Sequence, residues 1–139
     1  MAGEIYLADT SVYVLQGRHP QVRRRFERLL TEGRLAACQM TSLEFLNNAP
    51  DPKSYETLLS ALTGHRWLDV STDAMNRAMA THRALAHASQ HRNVRLPDLI
   101  IAATAELNGA TVLHCDADYD RIAEVTGQPT EWVAPRGTV

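Results

Sequence analysis

Five short apolar runs separated by segments with helical spacing constrain this chain more than any other feature. The runs cover residues 5–8, 35–39, 67–70, 111–114 and 131–133, and helical patterns cover 12–16, 21–31, 42–47, 54–62, 73–88, 98–108 and 119–126. A short, continuous apolar run suits a strand buried on both faces, whereas apolar positions three and four apart make one face of a helix. Turn-forming residues fall where one pattern gives way to the other: Gly33, Pro50, Pro52, Gly64, Pro97, Gly109, Gly127 and Pro129. Strands alternating with helices pair in parallel and carry the helices on both faces. The expectation is an α/β fold around a mostly parallel sheet, with ligands bound beyond the carboxyl ends of its strands.

No repeat, low-complexity run or long Pro/Gly/Ser linker divides the sequence, so residues 1–139 are expected to form a single domain. A hydrophobic content of 45% is enough for a continuous core without disulfides or a structural metal. Cys38 and Cys115 lie in apolar, strand-like surroundings, where buried reduced thiols are expected rather than a disulfide. The start, Met1-Ala2-Gly3-Glu4, carries no basic leader followed by a long apolar stretch, and no segment approaches a membrane span. The expected location is therefore cytoplasmic, with no membrane contact.

Four acidic residues stand where an apolar segment ends or a helix begins: Asp9, Glu44, Asp98 and Asp116. Carboxylates beside core segments need something to neutralise them, and a hard divalent cation such as Mg²⁺ does this through oxygen ligands. Each residue also has a plainer reading. Asp9 opens Asp9-Thr10-Ser11, all good helix N-caps. Thr41 or Ser42 can cap a helix whose first turn would hold Glu44, where the dipole favours an acid. Asp98 follows Leu96-Pro97 and opens a very apolar helix that must lie in the core, either as an N-cap or as a site residue. After residues 111–114, Asp116, Asp118 and Asp120 alternate; either Asp116 and Asp118 face a cleft with Asp120 in the next helix, or the turn is merely solvated.

Several chemistries are excluded by what is missing. The Asp116-x-Asp118-x-Asp120 spacing fails as a calcium loop, because Arg121 stands where glycine is needed and Gly127 where a bidentate glutamate is needed. No phosphate-binding Gly-x-x-x-x-Gly-Lys loop, dinucleotide Gly-x-Gly-x-x-Gly or Gly-x-Ser-x-Gly elbow is present. His87 and His91 share a helical spacing, but no glutamate follows His87 and no third zinc ligand is near. A receiver domain needs a lysine beside the last strands, and the only lysine is Lys53, in a loop. A dehalogenase-type phosphatase needs a second aspartate where Ser11 stands.

The net charge of −2 conceals an arginine cluster at residues 18–28 and a second basic stretch at residues 87–95. The planar guanidinium suits phosphate, and Arg18, Arg23, Arg92 and Arg95 are candidate contacts to a nucleic-acid backbone. The interleaved Glu27 and Glu32 also fit a simple solvated helix face.

Taken together, Leu7-Ala8-Asp9-Thr10-Ser11, Thr41-Ser42-Leu43-Glu44-Phe45, Leu96-Pro97-Asp98-Leu99-Ile100-Ile101-Ala102-Ala103 and His114-Cys115-Asp116-Ala117-Asp118-Tyr119, followed by Arg121-Ile122-Ala123, resemble the PIN domain. More narrowly, they look like the VapC toxins of bacterial type II toxin-antitoxin pairs. The resemblance spans nearly the whole chain and implies a three-layer fold with a mostly parallel five-stranded sheet. It implies an endoribonuclease that inhibits translation, in which Asp9, Glu44, Asp98 and Asp116 hold one or two Mg²⁺ or Mn²⁺ ions that activate a water. Asp118 matches an additional acidic position, and Thr10 or Ser11 would help orient the site. The resemblance further implies a homodimer held inactive by a VapB-like antitoxin. Two competing expectations are a PIN-like module that grips RNA or protein without cutting, and a structure-specific DNA nuclease, for whose extra helices this chain has little room.

Overall fold

Successive side chains of β1 (Tyr6–Ala8) divide between two cores, Leu7 entering one while Tyr6 and Ala8 enter the other. The same alternation separates Leu35 from Ala36 in β2 (Leu35–Ala37) and Val112 from Leu113 in β4 (Thr111–His114). A period of two sends alternate residues to opposite faces, so a run apolar at every position requires cover on both. This computed structural model describes residues 3–139; Met1 and Ala2, part of the segment on which the expectation about a leader rests, lie outside the described residues.

With β3 (Arg66–Trp67) and β5 (Thr130–Trp132) the strands form one sheet in the order β3-β2-β1-β4-β5, every neighbouring pair parallel. One face is covered by α1 (Thr10–Gln16) and α2 (Pro20–Thr31), which contribute Val12, Tyr13, Val22, Phe26 and Leu29. The other is covered by α5 (Thr72–His87), α6 (Leu96–Leu107) and α7 (Asp118–Thr126), through Ala78, Leu85, Ile101, Tyr119 and Ile122. Each fully buried leucine or isoleucine removed from water stabilises the fold by roughly 1.5–3 kcal/mol. The expected three-layer α/β architecture is the one observed. α3 (Gln39–Leu46) and α4 (Pro52–Ala61) connect β2 to β3, and α4 has no buried residue. A 3₁₀ turn, His91–Asn93, leads into α6.

Several boundaries differ from the sequence expectation, each because a polar group decides where backbone N–H donors find partners. Residues 38–39 leave the expected strand: Cys38 becomes the N-cap of α3, its N–H donating to Thr41 Oγ1 at 3.0 Å. The helix thus begins at Gln39 rather than residue 42, neither Thr41 nor Ser42 is the cap, and Glu44 falls in the second turn. The third strand ends at Trp67; the Leu68 N–H still donates to Ala37 O, but the Val70 N–H turns to Gln39 Oε1 at 2.8 Å. α6 begins at Leu96 with Arg95 as N-cap, so Asp98 is its third residue and not its cap. Pro97 fits there because the first turn of a helix needs no N–H from it. Both cysteines are free, Cys38 buried and Cys115 only partly so, and neither lies within a strand.

The connectivity positions the site. From β1 the chain steps outward to β2 and β3, then returns to add β4 on the opposite side of β1. Connections from β1 and β4 therefore diverge, opening a crevice at their carboxyl ends, the place where parallel sheets bind ligands. Asp9 follows β1 directly and Asp116 follows β4 by two residues.

Candidate active site

Five carboxylates meet in this crevice, although they come from widely separated parts of the chain. Single oxygens of Asp9, Glu44 and Asp98 lie within 4.8 Å of one another, and so do those of Asp98, Asp116 and Asp118. Asp98 belongs to both groups. Every acidic residue assigned to the site in the sequence is thus brought to one place.

Asp9 is the N-cap of α1 and a member of the cluster at once, so its two readings are compatible. Its Oδ2 accepts from Ser11 N at 3.2 Å and from Ser11 Oγ at 2.8 Å. Ser11 Oγ also accepts from Cys115 N at 3.3 Å, tying the exit of β1 to that of β4. Glu44 is held from two sides: Thr10 Oγ1 donates to Oε1 at 3.3 Å, and Arg95 Nη2 to Oε2 at 3.1 Å. Thr10 and Ser11 therefore both touch acidic members of the site. Asp116 Oδ1 accepts from Asp118 N at 2.9 Å, and Asp116 N donates to His114 Nδ1 at 3.1 Å. Asp118, the first residue of α7, accepts from the Arg95 backbone N–H at 3.0 Å and from Arg121 Nη1 at 3.1 Å. Asp120 turns away and accepts from Trp132 Nε1.

Asp98 is the most strained electrostatically. It is 1% exposed, and burial, then proton sharing with Asp118, then repulsion from Asp9 push its pKa up to about 8 against the pull of Arg95. With both carboxylates ionised there is no proton to share, and Asp98 Oδ2 is a buried oxygen with no donor. Such an oxygen calls for a proton or a cation. The donors gathered here are all oxygens, with no thiolate or imidazole in either group. That set fits a hard divalent ion such as Mg²⁺ or Mn²⁺ and does not suit zinc.

Of the candidate RNA-contacting arginines, only Arg95 touches the cluster; Asp98 above all, with Glu44 and Asp9, holds its guanidinium charged, and its side chain remains 63% exposed. Arg92 is exposed in the 3₁₀ turn and Arg18 is exposed after α1. Arg23 is committed to local structure, donating to the carbonyls of Gln16 at 2.9 Å and Gly17 at 3.2 Å. Two residues at the site were not marked by the sequence reading. Tyr119, 0% exposed, donates to Asp9 Oδ1 at 2.8 Å and faces Asp98 Oδ1 at 3.2 Å. His114 lies beneath it, ring centroids 4.9 Å apart, its pKa lowered by burial. A usable signal did exist: Tyr119 and Ile122 are three apart on the buried face of α7, and a buried tyrosine needs a partner for its hydroxyl.

Comparison with known proteins identifies the family. The PIN domain family matches residues 6–125. Ribonuclease VapC18 of Mycobacterium tuberculosis (strain ATCC 25618 / H37Rv) is 40% identical over 137 residues, covering 97% of this chain and 99% of that one. Ribonuclease VapC51 of the same strain is 42% identical over 134 residues, covering 96% of each. Among solved structures, the DNA-bound VapBC from Salmonella typhimurium superposes with a TM-score of 0.75 at 19% identity, over 95% of this chain and 100% of the other. At that identity the likeness speaks for the fold alone. Through the family match and the near-full-length identity to its relatives, this chain belongs to the PIN domain family, in its VapC branch.

Proposed function

We propose that the protein is a divalent-metal-dependent endoribonuclease, the toxin of a VapBC-like toxin-antitoxin pair, and that it inhibits translation by hydrolysing RNA. The observation that carries this reading is the convergence of Asp9, Glu44, Asp98, Asp116 and Asp118 at the carboxyl ends of β1 and β4, with Asp98 common to two groups of three. Relatives of the same length named as ribonucleases support it.

Asp9, Glu44 and Asp98 would hold one Mg²⁺ or Mn²⁺, and Asp116 and Asp118 would extend the site around Asp98. When bound, such an ion supplies charge neutralisation at the phosphate and a water of lowered pKa. The chain's own residues set the stage for that chemistry. Ser11 fixes the rotamer of Asp9, and Thr10 with Arg95 fixes Glu44, so that the carboxylates are preorganised rather than gathered by substrate. Arg95, whose exposed guanidinium pairs with Glu44, would meet an RNA phosphate, and the exposed Arg92 would be a second contact. No side-chain nucleophile is needed, and hydrolysis by water leaves a 5′ phosphate and a 3′ hydroxyl. A VapB-like antitoxin is the partner that holds this chain inactive, and the active species is a homodimer in the cytoplasm.

The test is incubation of the purified, antitoxin-free protein with total bacterial RNA, comparing Mg²⁺ or Mn²⁺ with EDTA and wild type with Asp98→Asn, followed by sequencing of new 5′ ends. Discrete metal-dependent cuts, falling below about a tenth of the wild-type rate in the variant, are expected. Binding without cutting would favour a non-catalytic module, and cuts unchanged in Asp98→Asn would refute the residue assignment.

A further inference from the structure

We infer that Tyr119 is a positioning residue whose hydroxyl holds Asp9 and Asp98 in a cation-ready arrangement. The inference rests on reading the acidic cluster as a cation site, and it concerns a residue from outside the cluster's carboxylates.

The phenol is fully buried, and its ring packs against His114 under the crevice. Its single proton faces Asp9 Oδ1 at 2.8 Å and Asp98 Oδ1 at 3.2 Å. Two carboxylates brought this close in a dry place repel each other, and without a shared donor they would splay. The division of oxygens is informative. Tyr119 takes one oxygen of each aspartate, Ser11 takes the second of Asp9, and the second of Asp98 has no donor among the described residues. The hydroxyl therefore orients Asp98 so that its Oδ2 is the atom left free for a cation. Partners behind metal ligands fix their rotamers and tune their basicity in this way.

A second buried phenol provides an internal control. Tyr13 lies in the other core, packed among Phe26, Phe45 and His65, and its hydroxyl has no partner among the described residues. The experiment measures Mn²⁺ binding to the RNA-free protein by the loss of the free-ion electron paramagnetic resonance signal, for wild type, Tyr119→Phe and Tyr13→Phe. Tyr119→Phe is expected to weaken Mn²⁺ binding by about tenfold or more. Tyr13→Phe is expected to bind as wild type does. Equal affinity in wild type and Tyr119→Phe would overturn the inference, as would equal weakening in both variants, which would mark a general packing effect. A Tyr119→Phe chain that fails to fold beside a folded Tyr13→Phe would assign the hydroxyl a purely structural role and overturn it too. No Mn²⁺ binding by the wild type would instead refute the cation site itself, which separates the two failures.

Discussion

Asp98 shows how a single residue can trade stability for chemistry. Its folded pKa of about 8 lies above the ordinary aspartate value near 3.9. Between these values the unfolded chain has released the proton and the folded chain retains it, so the metal-free fold loses stability as pH rises from about 4 to about 8. Denaturant unfolding in EDTA at pH 5 and pH 8 should register a fall on the order of a few kcal/mol from this residue. Asp98→Asn should flatten the profile and make the metal-free protein firmer at pH 8 while removing cleavage. His65 and His114, whose pKa values burial lowers, act in the opposite sense, their contribution being lost as pH falls. They are common to both proteins, so the difference between wild type and variant isolates Asp98. A variant as pH-sensitive as wild type would show that the charge penalty lies elsewhere.

Among the elements, α4 and α6 are opposites. α6 buries Leu99, Ile101, Ala102, Ala103 and Ala105 and carries Asp98 into the crevice, whereas α4 buries nothing and depends on the Asp51 carboxylate accepting from Ser54 N at 2.7 Å. A helix that buries no side chain opens locally more readily than one packed into a core. Native-state hydrogen exchange should accordingly release the α4 amides well before those of α6, and comparable protection would mean that another contact holds α4. α5 is intermediate: it is packed through Ala74, Ala78, Thr81 and Leu85, and its start is capped by Ser71 Oγ accepting from Ala74 N at 3.0 Å. Ser71→Ala should cost about 1 kcal/mol of global stability in thermal unfolding. Because the cap is no part of the acidic cluster, Mn²⁺ affinity should be unchanged.

For the molecule as a whole, the proposed cation site would make folding and ion binding one linked equilibrium. An ion that binds only the folded chain stabilises it by about 2.7 kcal/mol at 100 times its dissociation constant. Thermal unfolding with and without Mn²⁺ should show an upward shift of the midpoint in wild type and little or none in Asp98→Asn. A wild-type midpoint that ignores Mn²⁺ would mean that the crevice is not a preformed cation site. The fold permits such a site because β2 and β4 lie on opposite sides of β1, so that the connections leaving β1 and β4 diverge at their carboxyl ends. Among the described residues no helix is long and apolar enough to cross a membrane, and the apolar residues are spent instead on the two cores flanking the sheet.

Local periodicity determined that five strands alternate with seven helices, and helix-covered parallel strands follow from that alternation by geometry. The order of Asp9, Glu44, Asp98 and Asp116 along the chain was also legible, because each stands at a change of pattern. The start of α3 at Gln39 and of α6 at Leu96 was not, since Cys38 with Thr41, and Pro97 in a first turn, shift a boundary without altering hydrophobic spacing. Least legible was the meeting of Asp9 and Asp98 with the Tyr119 hydroxyl, residues 110 and 21 positions away from it in the chain. The sequence by itself determined the elements, because these depend on neighbours a few residues apart. Only the tertiary structure decided which carboxylate loses water, which phenol bridges the pair and which oxygen is left bare, because burial and charge proximity exist only once distant segments have packed.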